Sequence, residues 1–155
     1  MSRPALLHRL QRLRSLPASA QLDLAWAQLA LIRAHLTLRF RKKGALLSST
    51  AADTAGSVVA TSQHLRRARE LAVAVRRAAV YGPLRSTCLA RAIATCWLLR
   101  REDLLGAAVR VGVQLRAGRL VAHAWVEYAG ERLAESESDA ADVREVGDLT
   151  LHPGP

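Results

Sequence analysis

The apolar residues of this chain change their spacing once, and the place of the change constrains the fold more than any other feature. Up to Arg101 they recur every three or four positions; from Ala107 onward they recur every second position. The first spacing is that of one helix face and the second that of a half-buried strand. The chain must therefore build helices first and a small sheet afterwards. With 155 residues, half of them apolar, it is long enough for one domain with a real core and short for two. The expectation is an α+β fold.

Four helical segments follow from the spacing. Ala5 to Arg14 is short and basic, and Pro17, between Ser15 and Ser19, separates it from a longer helix over Ala20 to Phe40. There Leu22, Leu24, Trp26, Leu29, Ile32, Leu36 and Phe40 fall mostly three and four apart, with Asp23, Gln28, Arg33 and Arg39 interleaved. This reads as an amphipathic helix whose large residues pack on the core, with a membrane-surface helix as the competing reading. It is too polar to span a bilayer. The small, polar stretch between Gly44 and Ser62 reads as a linker. A third helix over Gln63 to Val80 puts Leu65, Ala68, Leu71, Ala72, Val75 and Ala79 on one side and stops at Tyr81-Gly82-Pro83. Ser86 or Thr87 then caps a fourth helix from Cys88 to Arg101, apolar on most sides and so central and buried. The organisation expected is a basic helical N-terminal extension over 1–43, a linker over 44–62 and a core over 63–155.

In the strand region Val109, Val111, Val113 and Leu115 alternate with Arg110, Gly112, Gln114 and Arg116. Ala117-Gly118 turns this strand into a second one over Leu120 to Tyr128, and Ala129-Gly130-Glu131 turns into a third around Arg132 to Glu135. The tail beyond Ser136 is acidic, with one more short strand near Val143 to Val146. Only six residues are Phe, Trp or Tyr, so the core is expected to be an interlocking of aliphatic side chains.

Two cysteines occupy the fourth helix. Cys88 and Cys96 lie about 12 Å apart along its axis, beyond the reach of a disulfide. Reduced thiols suit a cytosolic protein, and Gln11, Arg12 and Arg14 break up any export signal early. Cys88 falls in the first helical turn, where unpaired N–H groups and the helix dipole favour a thiolate and can hold an oxyanion. The helix and its connection carry the chain roughly 24 Å away from Cys88, and the first strand returns about 26 Å. His123, a few residues into the second strand, can therefore face Cys88 and serve as its base in acyl transfer. A carboxylate would hold the far ring nitrogen. If Tyr128, Ala129 and Gly130 form a three-residue loop, Glu135 lies across from His123; one step later Glu137 would, and Asp139 and Asp142 remain open from the tail. The bland alternative is a buried cysteine in an alanine-rich helix.

The run Thr87-Cys88-Leu89-Ala90-Arg91-Ala92, with Trp97-Leu98-Leu99-Arg100-Arg101, Val111-Gly112-Val113 and His123-Ala124-Trp125-Val126-Glu127, resembles the leader peptidases of lasso-peptide biosynthesis, in the transglutaminase-like superfamily. Leu16-Pro17-Ala18, the leucine-rich helix after it and the Arg-Arg-Ala-Ala segment at 76–79 resemble the same family's N-terminal part. The resemblance implies a transglutaminase-like or papain-like core, a central cysteine-bearing helix packed on a small antiparallel sheet. It implies Cys88 as nucleophile, His123 as base and Glu135 at the position where many members carry an Asp. It implies removal of a leader peptide from a ribosomally made precursor before an ATP-dependent cyclase closes the ring. A separate winged-helix protein would recognise the leader, as members of this length lack that domain.

Competing readings have their own signatures. The same Cys-then-His order serves transglutaminases and arylamine acyltransferases, which pass the acyl group to an amine. A formal net charge of +10, with nine Lys or Arg against Asp23 alone before Gly44, would also suit a nonenzymatic protein bound to nucleic acid or an anionic membrane. Few aromatics and no binding motif speak against nucleic acid. On the leader-peptidase reading, the basic helices before Gly44 are a docking surface for the leader or the partner. His8, His35, His64, His123 and His152 are scattered and no glycine-rich phosphate loop occurs, so neither metal nor cofactor is expected.

Overall fold

The computed structural model describes residues 17–40, 60–83, 86–116, 119–133 and 143–145. Three helices come first: α1 (Ala18–Phe40), α2 (Ser62–Tyr81) and α3 (Cys88–Arg101). Four strands follow: β1 (Ala108–Arg116), β2 (Arg119–Tyr128), β3 (Glu131–Leu133) and β4 (Val143–Glu145), in the sheet order β3-β2-β1-β4. Every described neighbour in this sheet is antiparallel. The α+β expectation holds, and the change of apolar period marks the change of element type. The short helix expected over Ala5 to Arg14 lies outside the described residues.

α3 is the central element, as its all-round apolar sequence requires. It packs on α1 and α2 and, on its other side, on β2 and β1. Thr87 caps it by accepting the Ala90 N–H at 3.2 Å, and Arg100 and Arg101 sit in its last turn, where cations complement the helix dipole. Thr61 caps α2 in the same way through His64. On β2 the alternate residues Ala124, Val126 and Tyr128 are buried and join Val109, Leu133 and the buried faces of the helices in one core. Alternation has placed one face of the sheet on the helices.

One side chain ties the helical layer together. Arg67 of α2 donates to both carboxylate oxygens of Asp23 on α1, at 2.6 and 2.8 Å, and to both of Glu102 just after α3, at 2.7 Å each. The two acids, Asp23 foremost, hold the guanidinium far above its usual range, so it stays charged at every pH the fold meets. Arg69 pairs with Glu131 and so links α2 to β3.

Two expectations are corrected here. The large residues of α1 do not face the core: Leu22, Trp26, Leu29, Ile32, Leu36 and Phe40 are exposed, while Ala27, Ala30, Leu31 and Ala34 are buried. The inward stripe is nearly all alanine, whose small side chain lets α1 approach its neighbours closely, and a helix apolar on both faces gives periodicity little to choose by. The loop between β2 and β3 has two residues rather than three. Ala129 and Gly130 both take positive φ, 50° and 78°, in a tight turn that pairs Tyr128 with Glu131.

Candidate active site

Cys88 and His123 line one shallow pocket at the N-terminal end of α3. The cap on Thr87 fixes where α3 begins, and therefore where Cys88 stands. Ala90 N–H is taken by the Thr87 hydroxyl and Arg91 N–H by the Thr87 carbonyl, which leaves the N–H groups of Cys88 and Leu89 without an intrahelical partner. The Cys88 side chain is half-buried, and that of Cys96, two turns on, is fully buried. Neither is in a disulfide. Burial pushes the Cys96 thiol up to about 12, so it is protonated and inert at neutral pH.

His123 borders the pocket from β2, in the odd register of the strand with Trp125 and Glu127, opposite the Ala124, Val126 and Tyr128 face that packs on the helices. β1 and β2 pair in a continuous register from Ala108↔Glu127 to Arg116↔Arg119, which sets His123 opposite Gly112. Its ring stacks on Trp125, two residues along the strand, with centroids 6.1 Å apart and planes 18° from parallel. The Arg132 guanidinium lies over the other ring of that pair, 4.3 Å from the Trp125 centroid. Trp125 is itself buried, and its Nε1 is buried without a hydrogen-bond partner among the described residues. An aromatic wall fixed between a cation and an imidazole restricts how the His123 ring can turn. Trp125 belongs to the same motif run as His123, and the structure adds Arg132, whose part was not visible from spacing alone.

The rest of the pocket is apolar apart from Arg76, Arg91 and Thr95, with Ala72, Val75 and Leu133 among its walls. Its charged lining residues among those described are all basic. Such a lining favours negative charge developing on a substrate oxygen. No group of three His, Cys, Asp or Glu side chains suited to a metal ion occurs among the described residues.

The acid expected to complete the site is not placed. Glu135, Glu137, Asp139 and Asp142 lie outside the described residues. The register from which Glu135 was expected is off by one. A Glu135 opposite His123 requires Val126 to pair with Arg132, and its partner is Leu133. The register also brings in a residue that sequence reasoning did not weigh: Gly112 pairs with His123 on one side and with Glu145 of β4 on the other, so the three share one cross-strand row. No local signal could have found this, because β4 returns to β1 from far along the chain.

A family profile described as the transglutaminase-like superfamily matches residues 28–147, a span that contains α2, α3, all four strands and both pocket residues. No curated protein and no solved structure matches.

Proposed function

Because the chain belongs to the transglutaminase-like superfamily, whose members are typically cysteine-dependent peptidases and acyltransferases, we propose that it is a cysteine peptidase that removes the leader from a ribosomally made lasso-peptide precursor. One observation carries the reading. The cysteine in the first turn of the central helix and the histidine on the second strand line the same pocket, inside the span that the family profile matches.

The chemistry follows from those two side chains. His123 takes the thiol proton as Cys88 Sγ attacks the carbonyl carbon at the leader junction. The carbonyl electrons move onto oxygen, and the N–H groups of Cys88 and Leu89 at the α3 terminus are the available donors for that oxyanion. Collapse breaks the C–N bond, and His123 delivers its proton to the departing amine. Water, deprotonated by His123, then cleaves the thioester and returns the thiol. A carboxylate behind the imidazole would fix its tautomer and steady its charge. The resemblance gives that role to Glu135, and the cross-strand row offers Glu145 as the alternative.

On this reading the protein works in the cytoplasm, where precursors are made and thiols stay reduced, together with a separate winged-helix leader-recognition protein and ahead of an ATP-dependent cyclase. Among the described residues no helix is long and apolar enough to cross a membrane.

The test is mass spectrometry of the precursor encoded beside this chain, incubated with the protein and its leader-binding partner. The original protein should release the leader with a free carboxylate, and Cys88→Ala, folded by circular dichroism, should release none. Cleavage that survives in Cys88→Ala overturns the mechanism. Leader carried onto an added amine in place of water makes the protein an acyltransferase instead. Comparing Glu135→Gln with Glu145→Gln assigns the third role to whichever lowers kcat about a hundredfold or more.

A further inference from the structure

The outward face of α1 is not used by the site described above, and it gathers more exposed large apolar residues than any other described element. Six of the ten exposed large apolar residues among those described belong to this one helix. Leu22, Leu29 and Leu36 are 63, 54 and 50 % exposed, and they stand seven residues apart. Trp26, Ile32 and Phe40 fill in beside them, and the leucines span roughly 21 Å along the axis. A seven-residue repeat sets the three leucines on one stripe of the helix, a spacing suited to packing along another helix.

The rim of this face is cationic, and two of its cations are fixed in place. The Arg101 guanidinium lies 3.8 Å from the centroid of the Trp26 ring, and that of Arg33 lies 4.4 Å from the Trp97 ring. Arg39 is exposed in the last turn. The helix has a single acid, Asp23, and Arg67 occupies both of its oxygens. Among the described residues, α1 therefore has no carboxylate left to face a partner.

We propose that this face docks an acidic amphipathic helix of a partner protein, seated along Leu22, Leu29 and Leu36 with its carboxylates toward Arg33, Arg39 and Arg101. A second copy of this chain fits poorly, since it would set arginine against arginine along the seam. An anionic bilayer would accept the charge, but a membrane needs only a broad apolar face and gives no reason for leucines in heptad register. The proposal rests on α1 and on Arg101 at the end of α3, and is independent of whether Cys88 cleaves a peptide.

The probe is a hydrocarbon-stapled helix of three heptads, leucine at the seam and glutamate on the flanks, labelled for fluorescence anisotropy against the full chain. Its counterpart carries lysine for glutamate. The glutamate peptide should bind saturably and the lysine peptide should not. Leu29→Glu should abolish binding without changing the melting temperature, and Leu36→Glu provides the same test if the first variant folds badly. Arg33→Glu with Arg39→Glu should weaken the acidic peptide about tenfold and let the lysine peptide bind. The proposal is overturned if the glutamate peptide does not bind, if it binds both leucine variants as well as the original, or if both peptides bind alike. It is also overturned if the face instead carries the protein onto anionic vesicles or into a dimer, each lost in Leu29→Glu.

Discussion

Cys88 and Cys96 share one helix and differ in what surrounds them. Cys96 is enclosed on all sides, so ionising it would put a charge into apolar packing; Cys88 opens on the pocket. A thiol reagent such as iodoacetamide at mildly alkaline pH should therefore add once to the folded chain, at Cys88, and Cys88→Ala should take up none until it is unfolded. Equal labelling of both cysteines, read by peptide mapping, would contradict the packing. The same burial fixes a sign for stability. The folded state keeps the Cys96 proton to about 12 while the ordinary thiol loses it near 9.0, so the unfolded chain binds fewer protons above that point. This contribution is fully present below about 9 and is lost as pH rises toward about 12, and Cys96→Ala should flatten that part of a urea-stability profile against pH. The helix that begins at Cys88 and the strand that carries His123 were legible because each has a strong, simple period. The choice among Glu135, Glu137, Asp139 and Asp142 stayed open in the sequence, because it turned on the length of one loop. That loop is short because Ala129 adopts a positive φ that sequence rules reserve for Gly, Asn and Asp.

At the scale of elements, the joint between the helices is a polar one. Arg67 reaches from α2 to Asp23 on α1 and to Glu102 after α3, so one guanidinium serves two carboxylates from two other segments. Removing the cation would leave two half-buried acids facing each other with their mutual repulsion unopposed. Arg67→Ala is expected to cost on the order of 2 to 4 kcal/mol in urea denaturation, more than deleting an exposed pair such as Arg66 with Glu70. Arg67→Ala combined with Asp23→Asn and Glu102→Gln should recover part of that loss, since the repulsion goes with the charges. A loss no larger than that from Arg66→Ala would show that the joint is held by packing alone. Element boundaries themselves were well marked in the sequence. α3 runs from Cys88 to Arg101 because a threonine caps it, and α2 ends where Gly82 and Pro83 interrupt it. What spacing did not reveal was Arg67 as a bridge, because its partners sit 44 and 35 residues away.

At the scale of the molecule, the fold is a stack: α1 and α2 lie on α3, and α3 on the sheet. The stack closes through small residues, Ala27, Ala30 and Ala34 from α1 meeting the alanine-rich faces of α2 and α3. Alanine in the core leaves the large side chains of α1 for the outside, which inverts the usual order of a surface helix. Layer order was legible from the run of helical and strand periods; the rotation of α1 about its axis was not, because apolar residues line both of its sides. The inversion predicts a contrast between two leucines that are neighbours in sequence. Leu31 is 0 % exposed, so Leu31→Ala should open a cavity and cost about 2 to 5 kcal/mol. Leu29, two positions earlier and 54 % exposed, should accept glutamate within about 0.5 kcal/mol. If α1 were rotated to bury its large residues, the order would reverse, with Leu29→Glu unfolding the chain and Leu31→Ala passing almost unnoticed. Chemical denaturation of the two variants side by side decides which face of α1 the rest of the molecule is built on.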